Sequence, residues 1–180
     1  AVAVHSLIQL FIQAVDVQWL ILAALTLLTG NFTVRIPGVR ARLSVSDTFV
    51  FASVLLFGPA AGTITALLDA LIISLRLGHH AREPFRVIFN VSAVALATRM
   101  AGEVFFLSSG VQPYSVSSTP LSQILFPLFL FTLSYFLLNS WLVTLALALE
   151  QQRSPLTIWR DNFLWLSVNY FGGGSVAGLL

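Results

Sequence analysis

Residues 43–76 read LSVSDTFVFASVLLFGPAAGTITALLDALIISLR, without a basic residue between Arg42 and Arg76. Two apolar runs flank the break Gly58-Pro59-Ala60-Ala61-Gly62, and one acid, Asp69, sits inside the second run. Bracketed by Arg40, Arg42 and Arg76, this pattern reads as a membrane hairpin with both ends on one side. Residues 48–57 would rise roughly 15 Å as a helix, and residues 63–77 are also few for a full crossing. The hairpin therefore uses thin, tilted spans or re-enters from one side, where protein or water must cover its backbone. Asp47 stands where an N-cap for the first run is expected.

Composition supports a membrane environment. Hydrophobic residues make up 57% of the chain and charged residues 9%, against about a quarter charged in soluble domains. All nine basic residues are arginine, and the net charge of +2 is too small to indicate nucleic-acid binding. The chain has no cysteine, which excludes disulfides, thiol catalysis and thiolate metal sites. It begins at Ala1 without an initiator Met and stops at Leu180 inside an apolar run, so it reads as a single membrane domain, 1–180, cut from a longer protein. The first apolar stretch lacks the basic flank and cleavage site of a signal peptide.

Residues 2–29 read as one membrane helix, with His5, Gln9, Gln13 and Asp16 on a single polar stripe turned to the bundle interior; a break near Asp16 is the alternative. In residues 31–46 basic and apolar positions alternate around Pro37-Gly38, which suits a type II turn and predicts a short interfacial β-hairpin. Residues 76–86 form a polar loop; His79 and His80 lack further ligands at metal spacing, so no metal is expected. Residues 85–107 and 124–149 are long spans, separated by the uncharged loop 108–123. Residues 150–161 read as a polar loop, and residues 162–180 as a final span with the glycine cluster Gly172-Gly173-Gly174 and Gly178. The expected fold is an all-α polytopic bundle of about six membrane segments with the β-hairpin at its surface. Gly58, Gly62, Gly174 and Gly178 are the expected positions of close helix approach.

Eight of the nine arginines fall in segments 31–46, 76–86 and 150–161, and none in the intervening turns. By the positive-inside rule these three loops are cytoplasmic in a bacterial inner membrane. Asp16, Asp69, Arg99 and Glu103 are the ionisable residues at membrane depth. Such groups are costly in lipid and face the interior, where they pair or serve a ligand. Arg99 and Glu103 stand four apart and can pair on one helix face; Asp69 on a neighbouring helix is the other partner within reach. Asn90, Asn139 and Asn169 join either an internal packing network or a ligand site. Asn90 is nine residues from Arg99, half a turn round the helix, so the two serve different faces. No catalytic motif is present, neither G-x-S-x-G, H-E-x-x-H nor a phosphate loop, and no cofactor is expected.

The segment LSVSDTFVFASVLLFGPAAGTITALLDALI resembles two groups of bacterial membrane domains. One is the membrane-associated-sensor type found N-terminal to cyclic-dinucleotide enzymes (GGDEF, HD-GYP) and histidine kinases. The other is the substrate-binding S component of energy-coupling-factor vitamin transporters. The segments YFLLNSWLV and NFLWLSVNYFGGGSVAGLL look more like the sensory group. That resemblance implies a non-enzymatic sensory or anchoring module whose cytosolic output domain lies beyond Leu180, after one further span. Its partners would be the bilayer, a small-molecule ligand and a second copy joined through the output domain. The transporter resemblance implies vitamin-like uptake instead.

Overall fold

The structure, a computed structural model, describes residues 2–12, 17–29, 33–35, 42–76, 84–113, 116–162 and 175. The elements run α1 (Val2–Ile12), α2 (Val17–Thr29), β1 (Thr33–Arg35), β2 (Arg42–Ser44), α3 (Val45–Phe57), α4 (Pro59–Arg76), α5 (Pro84–Ser109), a 3-10 turn (Val116–Ser118), α6 (Leu121–Gln151) and α7 (Pro155–Asn162). The architecture is helical.

Two helices are long and apolar enough to cross a bilayer, α5 with 26 residues and α6 with 31. They rise about 39 and 46 Å, against a hydrocarbon core of roughly 30 Å. This corrects the expected six segments to two among the described residues. Outside α5 and α6 the described helices are shorter: α1 has 11 residues, and α2 and α3 have 13 each. The interfacial β-hairpin is corrected in extent. Strand pairing covers three residues a side, Thr33 with Ser44, Val34 with Leu43 and Arg35 with Arg42, and the Pro37-Gly38 turn lies outside the described residues. Asp47 is also displaced from its expected place, since α3 begins at Val45 and Asp47 lies in its first turn.

The break between α3 and α4 is a single residue. Gly58 takes φ +93°, its N–H donates to the Val54 carbonyl at 2.8 Å, and Pro59 already starts α4. Glycine tolerates this left-handed conformation, and proline suits a first helical position. The helices then return against each other closely. A Cβ on Gly62 would stand 2.1 Å from Val54 Cγ2 and 2.9 Å from its Cα. A Cβ on Gly102 of α5 would stand 3.0 Å from the other methyl of Val54 and 3.0 Å from Pro59 Cβ. Val54 is thus clasped between two glycines on two helices.

Packing follows chain order from α3 to α6: α3 on α4, α4 on α5, α5 on α6. Helix α1 lies against α4 and α5, α2 against α3 and α4, and α7 folds back on α6. The centre is aromatic. Phe51 meets Phe131 edge-on at 5.0 Å and Tyr135 at 4.9 Å, and Phe105 meets Phe131 at 6.4 Å. Such pairs contribute about 0.5–1.5 kcal/mol each beyond burial. Trp19 pins α2 to α4, its Nε1–H donating to Thr65 Oγ1 at 3.0 Å and lying 3.3 Å from the Ala61 carbonyl. Hydroxyls of Thr26, Ser53, Thr63, Thr98 and Thr132 donate to carbonyls four residues back, which satisfies them without leaving their own helix. The outer faces are apolar: Ile8, Leu28, Ile88, Leu107, Phe126 and Leu149 are all exposed. A surface of that kind marks contact with lipid or another protein.

Residues 150–161 are not the loop expected of them. Gln152 takes the left-handed conformation, φ 51°, that ends α6, and α7 starts three residues later. Trp159 anchors the return, donating to Ser140 Oγ at 2.9 Å and stacking on Trp141 at 5.8 Å.

Candidate functional site

Three helices present a polar stripe by simple periodicity. On α4, Ala66, Asp69, Ala70, Ile73 and Ser74 recur every three or four residues; on α5, Asn90, Ala93 and Val94 do so; on α6, Tyr135, Asn139 and Val143 do so. These faces converge, with Asp47 and Val50 of α3 closing one side, around a cavity of about 260 Å³. Asp69 and Tyr135 are buried. The lining holds two carboxylates, two amides, a phenol and a hydroxyl, and among the described residues no Arg, Lys or His. It is therefore a polar chamber inside an apolar bundle.

A second polar centre stands apart. Arg99 Nη2 pairs with Glu103 Oε1 at 2.7 Å, and Arg99 Nη1 donates to Gln9 Oε1 of α1 at 2.7 Å. These residues, with Gly58, Pro59 and Pro113, line a cavity of about 330 Å³. Arg99 is thus engaged by its own helix and by α1, and of the two partners open to it, it takes Glu103 rather than Asp69. Asn90 and Arg99 line different cavities, as their half-turn separation requires.

A third hollow, about 340 Å³, lies between the first turns of α5 and the last turns of α6. Phe85, Phe89, Ala146 and Leu147 make it apolar, and Arg86 and Glu150 bridge it with two hydrogen bonds of 2.7 and 3.2 Å. It shares Asn90 and Val143 with the first cavity.

The polar residues expected to form one network therefore divide. Asp69, Asn90 and Asn139 come together; Arg99 and Glu103 form a separate centre; Asp16, Asn169, Gly174 and Gly178 lie outside the described residues. Of the stripe on α1, Gln9 turns inward to Arg99 while His5 is exposed, and Gln13 lies outside the described residues. Sequence reasoning assigned Asp47 to capping alone and left Tyr135 out of the site, although Tyr135 stands one turn before Asn139 on the same face. Gly102, which takes part in a close helix approach, was also missed; only a glycine within an apolar span signalled it.

The chain matches the MASE9 family over residues 6–176. It belongs to that family. MASE domains are membrane-associated sensor domains, which fits two bilayer-length helices with apolar outer faces. The match covers nearly all of the chain, and the uptake-component resemblance finds no support. No curated protein and no solved structure matches this MASE9 domain. Membrane association gives the first cavity its significance: carboxylates at such positions are costly unless they serve a structure or a ligand.

Proposed function

We propose that this MASE9 domain is the input module of a bacterial signalling protein, seated in the inner membrane, and that the cavity walled by α3, α4, α5 and α6 is its ligand site. The observation that carries this reading is the convergence of Asp47, Asp69, Asn90, Tyr135 and Asn139 from four helices on one hollow. Small-molecule sites are concave, with a few convergent polar groups in an apolar frame. Helix α6 is the natural transmitter. Its Tyr135 and Asn139 face the cavity, and the next residue, Ser140, holds α7 through Trp159. A ligand that draws the α6 face inward would move α7 with it. The catalytic or kinase output belongs to another part of the full-length protein, which also supplies the contact between two copies.

The test uses the full-length protein in its native membrane, reading its output over varied growth conditions. Ala93→Phe fills the cavity, and Asn139→Leu removes an amide at nearly constant size. Both should hold output at one level, whereas Leu145→Phe on the exposed face of α6 should respond as the natural protein does. A full response from both cavity variants, expressed at normal levels, would overturn the assignment.

A further inference from the structure

The second cavity carries its two opposite charges side by side. Arg99 Nη2 and Glu103 Oε1 stand 2.7 Å apart, and Arg99 Nη1 donates to Gln9 Oε1 at 2.7 Å. Among the described residues these three side chains make no other polar contact. A guanidinium has more N–H donors, and a carboxylate more lone pairs, than these contacts take up, and the Gln9 amide keeps its N–H donors. The backbone repeats the polarity. A Cβ on Gly102 would stand 3.0 Å from Pro59 Cβ, so the N-terminus of α4 meets α5 between Arg99 and Glu103. Glu103 is the nearer of the pair to the C-terminus of α5, where the Val111 N–H turns to Ser109 Oγ instead of a helix carbonyl. A positive helix end and a negative one thus border the same cavity. Gly110 and Gln112 also line it, are exposed and lie beyond α5, so the cavity reaches the end of the bundle.

From this pairing of charges we infer that the second cavity is a further ligand site, and that its ligand is a free α-amino acid. Arg99 and Glu103 together carry no net charge, so an ion of one sign is attracted by one and repelled by the other. A zwitterion gains from both. Its carboxylate takes the remaining guanidinium N–H groups, whose planar fork matches it, and the Gln9 amide. Its ammonium group takes Glu103. Because the two protein charges are in contact, the ligand's own charges must also be close together, as they are on one α-carbon. At about 330 Å³ the cavity lies at the lower end of small-molecule sites, which limits it to a small solute. Phe106, Leu107 and Val111 give it an apolar side against which a short side chain is buried. This site shares no lining residue with the first cavity, so it stands independently of the input site proposed above.

The experiment uses the full-length protein in dodecyl maltoside, an uncharged detergent, and reads its unfolding temperature with each standard L-amino acid at millimolar concentration. At least one should raise it saturably. In equilibrium dialysis with that amino acid radiolabelled, the amine and the carboxylic acid that each lack one of its charges should fail to compete. Of two isomeric probes, 2-aminobutyrate should compete better than 4-aminobutyrate, whose charges are spread. Glu103→Gln should weaken binding about tenfold. Met100→Ala, on the exposed face of α5, should leave it unchanged. No shift with any amino acid, or undiminished binding in Glu103→Gln, would overturn the site. Equal competition by the amine or the acid alone would overturn the zwitterion, and the reverse order of the aminobutyrates would overturn the α-carbon. A shift with phosphatidylethanolamine and with no free amino acid would replace the free ligand by a lipid headgroup. Asn139→Leu, in the first cavity, should bind as the natural protein does. Loss of binding there would move the ligand to the first cavity and remove this inference, whereas the input-site reading stands or falls on the output measurement.

Discussion

Arg99 satisfies two partners at once, Glu103 on its own helix and Gln9 on α1, and it is the side chain that ties α1 to α5 by a charge-assisted bond. Arg99→Ala should cost about 1–3 kcal/mol, read as a lower unfolding temperature in detergent. Adding Glu103→Ala should restore only part of the loss. The Glu103 side chain is 44% exposed, so water already compensates much of its charge, while Gln9 still lacks its donor. A double variant no better than the single one would mean that the ion pair itself contributes nothing. Trp19→Phe should cost about 1 kcal/mol by removing the Nε1–H donor to Thr65; an unchanged unfolding temperature would contradict that. At this scale the sequence was legible where spacing decides the matter. Arg99 with Glu103 follows from one-turn periodicity. It was illegible where a partner is remote in the chain: Gln9 and Arg99 are ninety residues apart, and Trp19 and Thr65 forty-six.

The hairpin of α3 and α4 depends on backbone proximity more than on any polar contact. Gly62→Ala drives a methyl into Val54, and overpacking of this kind costs about 1–3 kcal/mol. Val54→Ala in the same chain should relieve the clash only partly, since Val54 Cα would still lie 2.9 Å from the added Cβ. Full rescue in a thermal-shift measurement would show that the helices can separate at no cost. Apolar run length announced α5 and α6, because a long unbroken run has few alternatives to a helix. The interruptions were harder to place. Gly58-Pro59-Ala60-Ala61-Gly62 reads as a five-residue break, yet proline at a first helical position and alanine are both compatible with helix, so Gly58 alone makes the turn. Helix α7 was read as loop because it is short and polar; its place is fixed by Trp159 against Ser140 and Trp141, contacts that local sequence does not display.

Among the described residues, polar and charged groups collect toward two ends. The Arg86–Glu150 bridge joins the start of α5 to the end of α6, and Asp47, Ser74, Asn90 and Val143 share one cavity near it. Gly58 abuts Pro113 at the other end, close to Arg99 and Glu103. If the arginine-rich segments 31–46, 76–86 and 150–161 are cytoplasmic, cysteines at Arg40, His79 and Arg153 should escape a membrane-impermeant thiol reagent in intact cells, and one at Ser118 should react; the reverse pattern would invert the orientation. The membrane location and the polar chamber can be tested together, because the chain has no native cysteine. In lipid nanodiscs, a small water-soluble methanethiosulfonate should modify Asn139→Cys within the cavity. It should leave Leu145→Cys unmodified, although Leu145 is 47% exposed, because lipid covers that face. Rapid labelling at position 145 with none at position 139 would contradict the account of a membrane-embedded bundle built around a water-accessible ligand chamber.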